Sequence, residues 1–226
     1  MIWGKFSAGV YINDQQLDEF CVTVSNTPSE NRLTCWIPSQ AGQYFEVRGA
    51  ISAPQSSGIH ASVSVDGFEC PPWVVQPPWT GTVEFDCLSD GTVGRKLMFK
   101  DIQFTDDESM MDPESNEIGE IILTLQRGRF NISKPRRSRK SRTARKRKTV
   151  RKPKDNNHIL PSCMGERMVD ERLKKGRAHQ VSLGEEVPDR EEQTSYHHEF
   201  DPDYPVTTFI FKYTSLEILR AKGRVA

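Results

Sequence analysis

The sequence predicts a mostly β fold, an antiparallel β-sandwich or jelly-roll-like domain with a disordered basic insertion and a short C-terminal helix. Apolar and polar residues alternate with a period of two in many short segments, turn residues separate these segments, and no helix of ordinary length is visible before residue 160. Such alternation places one face of each strand on a core and the other in water. Seven or more short strands with turns between them are typical of a sandwich or jelly roll.

The clearest predicted strand spans residues 59–65, where the odd positions are apolar, the even positions are polar, and Asp66-Gly67 follows as a turn. Phe20, Val22 and Val24 share one face of an earlier strand. The same alternation occurs in residues 33–37, 45–47, 83–87 and 121–125. We therefore expect each of these segments to lie on the core with one face.

We divide the chain into residues 1–133, the main part of the sandwich, residues 134–157, a disordered basic insertion, and residues 158–226, a return segment. In the return segment, residues 166–175 predict a short helix and residues 184–202 a loop. Residues 207–213 alternate again and predict a final strand. Because residues 155–226 are too poor in apolar side chains to cover that strand, we expect it to complete the N-terminal sandwich.

A capping box predicts a closing helix after the final strand. Thr214 is followed three residues later by Glu217, and Gly223 is placed to end the helix.

The basic insertion, here called the basic segment (residues 134–157), dominates the charge pattern. Lys134 to Lys154 contains 13 Lys and Arg and no acid, and the other residues hold 18 bases against 31 acids, a net charge of −13. A segment with so much like charge and almost no apolar side chain has nothing to bury, so we expect it to be disordered.

The basic segment is also the strongest functional signal, because clustered Lys and Arg suit nuclear import or phosphate binding. The predicted contact residues for an import receptor and for nucleic acid are Arg136, Arg137, Arg139, Lys140, Arg142, Arg145, Lys146, Arg147, Lys148, Arg151 and Lys152. The alternative is a solvated tail that keeps the protein soluble. Serine and threonine hydroxyls lie among the bases, and their phosphorylation would reduce the charge.

Targeting and redox signals favour an intracellular, membrane-free protein. The chain starts without a basic stretch and an apolar run, and no stretch approaches the roughly 18 apolar residues that span a bilayer. The five cysteines are an odd number without a CxxC pair, which favours buried thiols in a reducing compartment. A bridge between Cys21 and Cys35 on neighbouring strands is the alternative.

Several segments, taken in order, resemble a family of uncharacterised fungal proteins that share a domain of unknown function. They are residues 10–20, Cys35-Trp36-Ile37-Pro38 with Gly42-Gln43-Tyr44-Phe45, Val65-Asp66-Gly67, residues 95–107, Ile118-Gly119-Glu120-Ile121, residues 175–184 and Phe209-Ile210-Phe211-Lys212-Tyr213. The resemblance covers nearly the whole chain apart from the basic segment. It implies a fungal source and a late strand that belongs to the first domain, and it implies no activity. In that family the closing strand tends to be followed by Arg, whereas Thr214 stands there in this chain.

Other candidate sites are weaker. The acidic residues 106–120 lack the register of a calcium-binding EF-hand and predict a solvated loop. Trp36, Trp73 and Trp79 could form a sugar-binding platform on a β-sandwich, but aromatic residues in such a fold are more often core or loop anchors. His179 and the pair His197-His198 lack metal-ligand spacing.

No GxSxG, HExxH or phosphate-binding glycine loop is present, so we predict neither catalysis nor a cofactor. The sequence therefore predicts a binding or scaffold module with a basic arm for import and weak polyanion contact. The predicted localisation is nuclear, and the alternative is cytoplasmic. One alternative is a chromatin or nucleic-acid accessory protein that binds through the basic segment. Another is an enzyme or carbohydrate-binding module whose site is unrecognised.

Overall fold

The computed structural model describes residues 1–89, 93–105, 118–132, 168–170, 176–188 and 196–225. The predicted basic segment, the turn at Asp90-Gly91 and most of the predicted acidic loop lie outside these residues. The described residues are mostly β-strand with one short C-terminal helix, as the alternation predicts. In the described ranges, no helix is long and apolar enough to cross a membrane.

Eighteen strands are present in the described residues. Those before residue 70 are β1 (Ile2–Trp3), β2 (Phe6–Ile12), β3 (Gln15–Gln16), β4 (Phe20–Asn26), β5 (Glu30–Pro38), β6 (Glu46–Ile51), β7 (Gly58–Val65) and β8 (Phe68–Glu69). The next are β9 (Trp73–Val75), β10 (Gly81–Phe85), β11 (Cys87–Ser89), β12 (Val93–Asp101), β13 (Gln103–Thr105) and β14 (Glu120–Ile132). The last are β15 (Met168–Asp170), β16 (His179–Pro188), β17 (Tyr196–Phe200) and β18 (Val206–Thr214), followed by helix α1 (Leu216–Ala221).

An eight-stranded sheet forms one layer of the sandwich. Its order is β4-β5-β18-β14-β7-β8, with β17 paired to β14 and β9 paired to β7. The long strand β14 is central, because it pairs antiparallel with β7, β17 and β18. The final strand β18 lies between β5 and β14, so residues from both ends of the chain build the middle of this sheet.

Two smaller sheets pack on the first. One has the order β1-β2-β6-β10 with β3 on β2, and the other has the order β11-β12-β16. They adjoin because only Asp86 separates β10 from β11, and the Phe45 amide donates to the Leu97 carbonyl over 3.1 Å. A separate parallel pair joins β13 and β15.

One hydrophobic core fills the space between the layers. Val47, Leu123 and Phe99 come from the three different sheets and are buried in the same cluster. Contact is closest at Gly49, where an added Cβ would lie 2.9 Å from Leu123 of the opposite sheet. Phe99 stacks on Phe45 with 4.2 Å between ring centroids and approaches the Tyr213 ring at 5.0 Å. The packing of the core therefore requires both layers.

Several details differ from the sequence-based expectations. The pairing of β18 with β5 is parallel, so the sandwich is not wholly antiparallel. Val22 and Val24 are 50% and 52% exposed, because β4 is the edge strand of its sheet in the described residues and a register shift at the positive-φ residue Cys21 interrupts its pairing. A strand with neighbours on one side only has less of the protein available to cover it.

The prediction of a helix at residues 166–175 is wrong at Met168–Asp170, which form β15. Val169 is buried against Ile102 and Ile118, and its strand pairs with Gln103–Thr105. The prediction of a loop at 184–202 is wrong at 184–188, where β16 continues to Pro188, and at 196–200, which form β17. Residues 189–195 lie outside the described residues. Glu185, Glu186 and Pro188 of β16 lie on exposed surface, so a strand there does not need apolar alternation.

The closing helix begins one residue later than the capping box predicts. Ser215 is the N-cap, and its hydroxyl oxygen accepts a hydrogen bond from the Ile218 amide over 3.4 Å. Thr214 is instead the last residue of β18, and Gly223 has a φ of 65°, which suits the residue that ends a helix.

We predict that Phe211→Ala lowers the free energy of unfolding by about 3–5 kcal/mol, because the side chain is fully buried and its removal leaves a cavity. Ile210→Ala is the matched control on the opposite, half-buried face of the same strand and should lose less than half as much. Urea unfolding measures both values. Equal losses would contradict the placement of β18.

Candidate functional site

A buried carboxylate lies at one end of the sandwich. Asp66 follows β7 directly, has a φ of 50°, and is 2% exposed. Aspartate tolerates this left-handed conformation better than most residues, and Gly67 continues the turn with a φ of 83°. The turn predicted from Asp66-Gly67 is therefore present, and it directs the carboxylate inward.

Three donors from distant parts of the chain surround the Asp66 carboxylate. The Gly119 amide donates to Oδ1 over 2.9 Å, and the Val181 amide donates to Oδ2 over 2.7 Å. The Tyr213 hydroxyl lies 2.7 Å and 2.6 Å from the two carboxylate oxygens. Hydrogen bonds to a charged acceptor contribute about 1.5–3 kcal/mol each, so this cluster links β7, β14, β16 and β18.

Tyr213 acts here as a hydrogen-bond donor. Burial and the neighbouring Asp66 charge raise the pKa of its phenol well above the usual range, because both disfavour the phenolate. The hydroxyl therefore stays protonated, and the arrangement favours a structural role over nucleophilic or general-base chemistry.

A second polar cluster lies where strands β5 and β12 end and strand β16 begins. Ser39 Oγ is 2.8 Å from His179 Nδ1, and His179 Nε2 is 3.5 Å from Asp101 Oδ1. The Ser39 amide also donates to the Thr214 carbonyl, one residue after Tyr213. Burial lowers the pKa of His179, while the charges of Asp101 and Glu217 oppose that change.

Serine, histidine and aspartate are the residue types of a hydrolase triad, but their exposure favours a structural link. Ser39 is 5% exposed, whereas the Asp101 side chain is 81% exposed, so the carboxylate is solvated and the hydroxyl is buried. A nucleophile needs the opposite arrangement, with an accessible hydroxyl and an oriented, buried acid. The cluster holds three strand ends together.

Three of the four tryptophans, those considered as a sugar-binding platform, do not share a surface. Trp36 lies in β5, opposite Lys212 of β18, and Arg224 covers its ring at 3.6 Å. Trp73 lies in the edge strand β9 and is 39% exposed. Trp79 packs against the core and covers Gly81. They therefore form no common sugar-binding platform.

The four described cysteines are free thiols. Cys35 and Cys70 are buried, as expected, and burial raises the pKa of Cys35 to about 12. Cys21 is exposed and unbridged, so the alternative of a Cys21–Cys35 disulfide is wrong.

Two shallow grooves accompany these features. One, of about 400 Å³, crosses the outer face of β7 and β14 and is lined by Ser62, Ser64, Thr124, Glu69 and Glu120 among others. Its Glu120 carboxylate lies 2.9 Å from the Lys212 ammonium. The other, of about 260 Å³, lies beside Asp101 and Ser182. Within the described ranges, no three His, Cys, Asp or Glu side chains are arranged to hold a metal ion.

The eleven basic residues predicted as contacts, from Arg136 to Lys152, lie outside the described residues. The structure instead brings together Asp66, Gly119, Val181 and Tyr213, which sequence reasoning treated only as turn, loop and core positions. The available signal was their presence in four of the segments that carry the family resemblance. The hydroxyl of Tyr213, which follows Phe209 and Phe211 on the buried face of its strand, was a second signal.

We predict that Asp66→Asn lowers the free energy of unfolding by about 3 kcal/mol or more. The negative charge is lost, and the NH2 group of the asparagine side chain, which cannot accept a hydrogen bond, faces one of the donors that surround Asp66. Tyr213→Phe removes one donor but leaves both amides bonded, so it should cost about 1–2 kcal/mol. Thermal and urea unfolding give both values. A smaller loss for Asp66→Asn than for Tyr213→Phe would contradict the assigned role.

We predict that the free energy of unfolding of the protein exceeds that of its His179→Gln variant by less and less as the pH falls from about 7 to about 5. The pKa of His179 is lowered in the folded protein, so the unfolded chain, with a histidine pKa near 6.5, takes up the proton first. The stabilisation is then complete above about pH 6.5 and is lost as the pH falls. A constant difference in the free energy of unfolding across this range would contradict the prediction.

Comparison with known proteins gives a family without a known activity. The chain is similar to the family described as Domain of unknown function (DUF7918), whose model matches residues 5–225. No curated protein and no solved structure matches the chain.

Proposed function

The chain belongs to the family of the domain of unknown function DUF7918, and we propose that it is a nuclear binding or scaffold module whose basic segment serves import and contacts polyanions. The observation that carries the proposal is the charge pattern. The stretch from Lys134 to Lys154 contains 13 basic residues and no acidic residue, whereas the rest of the chain has a net charge of −13.

The topology supports separate roles for the folded sandwich, as the scaffold, and for the basic segment, as the part that contacts partners. The segment is inserted between β14 and β15, and β14 pairs with three other strands of the large sheet. The cations from Arg136 to Lys152 are therefore attached to a strand that is central to the fold.

The chemistry of such a segment suits phosphate contact without base reading. Lysine and arginine in an open chain release counterions from nucleic acid, whereas base recognition needs donors held in fixed positions. The acidic remainder of the chain competes for the same cations and weakens nonspecific binding. An import receptor would use the same residues, with Arg145 to Lys148 as the densest group.

We predict that changing Arg145, Lys146, Arg147 and Lys148 together to Ala shifts a fluorescent fusion from the nucleus toward the cytoplasm. The reason is the loss of the densest positive charge in the basic segment. Exchanging the two arginines for lysine and the two lysines for arginine keeps the charge and is the matched control. An unchanged distribution of the alanine variant would remove the import role.

We predict that binding of the full chain to duplex DNA falls steeply with salt and is nearly equal for two unrelated sequences. Each neutralised phosphate contributes about −0.9 to the slope of log affinity against log salt concentration. Changing the eleven predicted contact residues to Gln should remove most of that slope. Strong preference for one duplex would favour a nucleic-acid accessory protein that reads sequence with its folded domain.

A further inference from the structure

Two cations near the C-terminus lie over one aromatic ring. The guanidinium carbon of Arg224 is 3.6 Å from the centroid of Trp36, and the Lys222 ammonium is 5.9 Å from it. Lys222 directly follows helix α1 and Arg224 lies two residues further on, while Trp36 belongs to β5 of the large sheet. We call Trp36, Lys222 and Arg224 the cationic patch.

The cationic patch has positive charge that no described acid balances. No ion pair joins Lys222 or Arg224 to a carboxylate among the described residues, and Arg224 Nη1 is buried without a hydrogen-bond partner. The ammonium of Lys212, which lies opposite Trp36 on the neighbouring strand β18, is in contrast paired with Glu120. Nη1 is out of reach of a ligand, and a phosphate oxygen is a suitable acceptor for the guanidinium nitrogens of Arg224 that are not buried.

The end of the Lys222 side chain lies close to the backbone of Gly176. A Cβ built on Gly176 would lie 2.4 Å from the Lys222 ammonium, but the ammonium is the far end of a flexible side chain and can move away. Lys222 is exposed, so its charge is free to move toward a ligand.

We propose that the cationic patch binds a phosphate group of a nucleic-acid backbone and is a second contact beside the basic segment. Stacking on Trp36 fixes the plane of the Arg224 guanidinium, which leaves its edge for a phosphate, and Lys222 adds a mobile point charge. The inference rests on the proposed polyanion contact and extends it, because it gives the folded domain a share of the binding.

The test uses the full chain with the eleven predicted contact residues of the basic segment changed to Gln, and a 20-base-pair duplex as the probe. We expect residual binding with a log–log salt slope between about −1 and −2, because one or two phosphates remain neutralised. Adding Lys222→Gln and Arg224→Gln should abolish that slope and weaken binding at low salt about tenfold. The matched control is Lys5→Gln with Arg129→Gln, which removes the same charge from two other exposed positions and should leave most of the slope.

Because Arg224→Gln also removes a packing contact, the exposed Lys222→Gln change alone is the second variant, and it should reduce the slope by about 0.9. No residual binding after neutralisation of the basic segment, or an equal effect of the control pair, would overturn the cationic patch. Unchanged binding after neutralisation of the basic segment would instead overturn the proposed function of that segment.

Discussion

The Asp66 carboxylate is the group on which the closure of the sandwich depends. A buried charge is tolerated only when donors surround it, and here the donors come from the turn before β14, from β16 and from the end of β18. These segments are far apart in the sequence, so the chain satisfies the carboxylate only after the return segment has crossed back onto the N-terminal strands. The parallel pairing of β18 with β5 follows from the same crossing.

Alternation in the sequence found many of the strands that lie on the core, but not β16, whose Val181 is buried there. Residues 59–65, 121–125 and 207–213 alternate, and all three lie in adjacent strands of the large sheet. Alternation does not report which strands become neighbours, and it could not predict a parallel β5–β18 pair. It also fails at edges, where Val22 and Val24 are exposed and where the short β15 forms through pairing and the burial of one residue, Val169.

The candidate site was harder to predict, because the role of its residues is visible only from their contacts in the folded protein. Asp66 looks like an ordinary turn residue. Gly119 and Val181 contribute only backbone amides to the site, and the type of residue does not reveal such a role. The role of Arg224 likewise depends on the ring of Trp36, which is 188 positions away in the numbering. The charge of the basic segment, in contrast, is a property of local composition and is visible in the sequence alone.

Hydrogen exchange in increasing urea tests most directly whether the Asp66 cluster joins both ends of the chain into one cooperative unit. The amides of Gly119 and Val181, which donate to Asp66, should exchange with the same free energy and urea dependence as the core amides of β7. Exchange of Val181 and of the β18 amides at a clearly lower free energy, with β7 and β14 still protected, would contradict this account. The return segment would then be a separable addition to an N-terminal domain that folds without it.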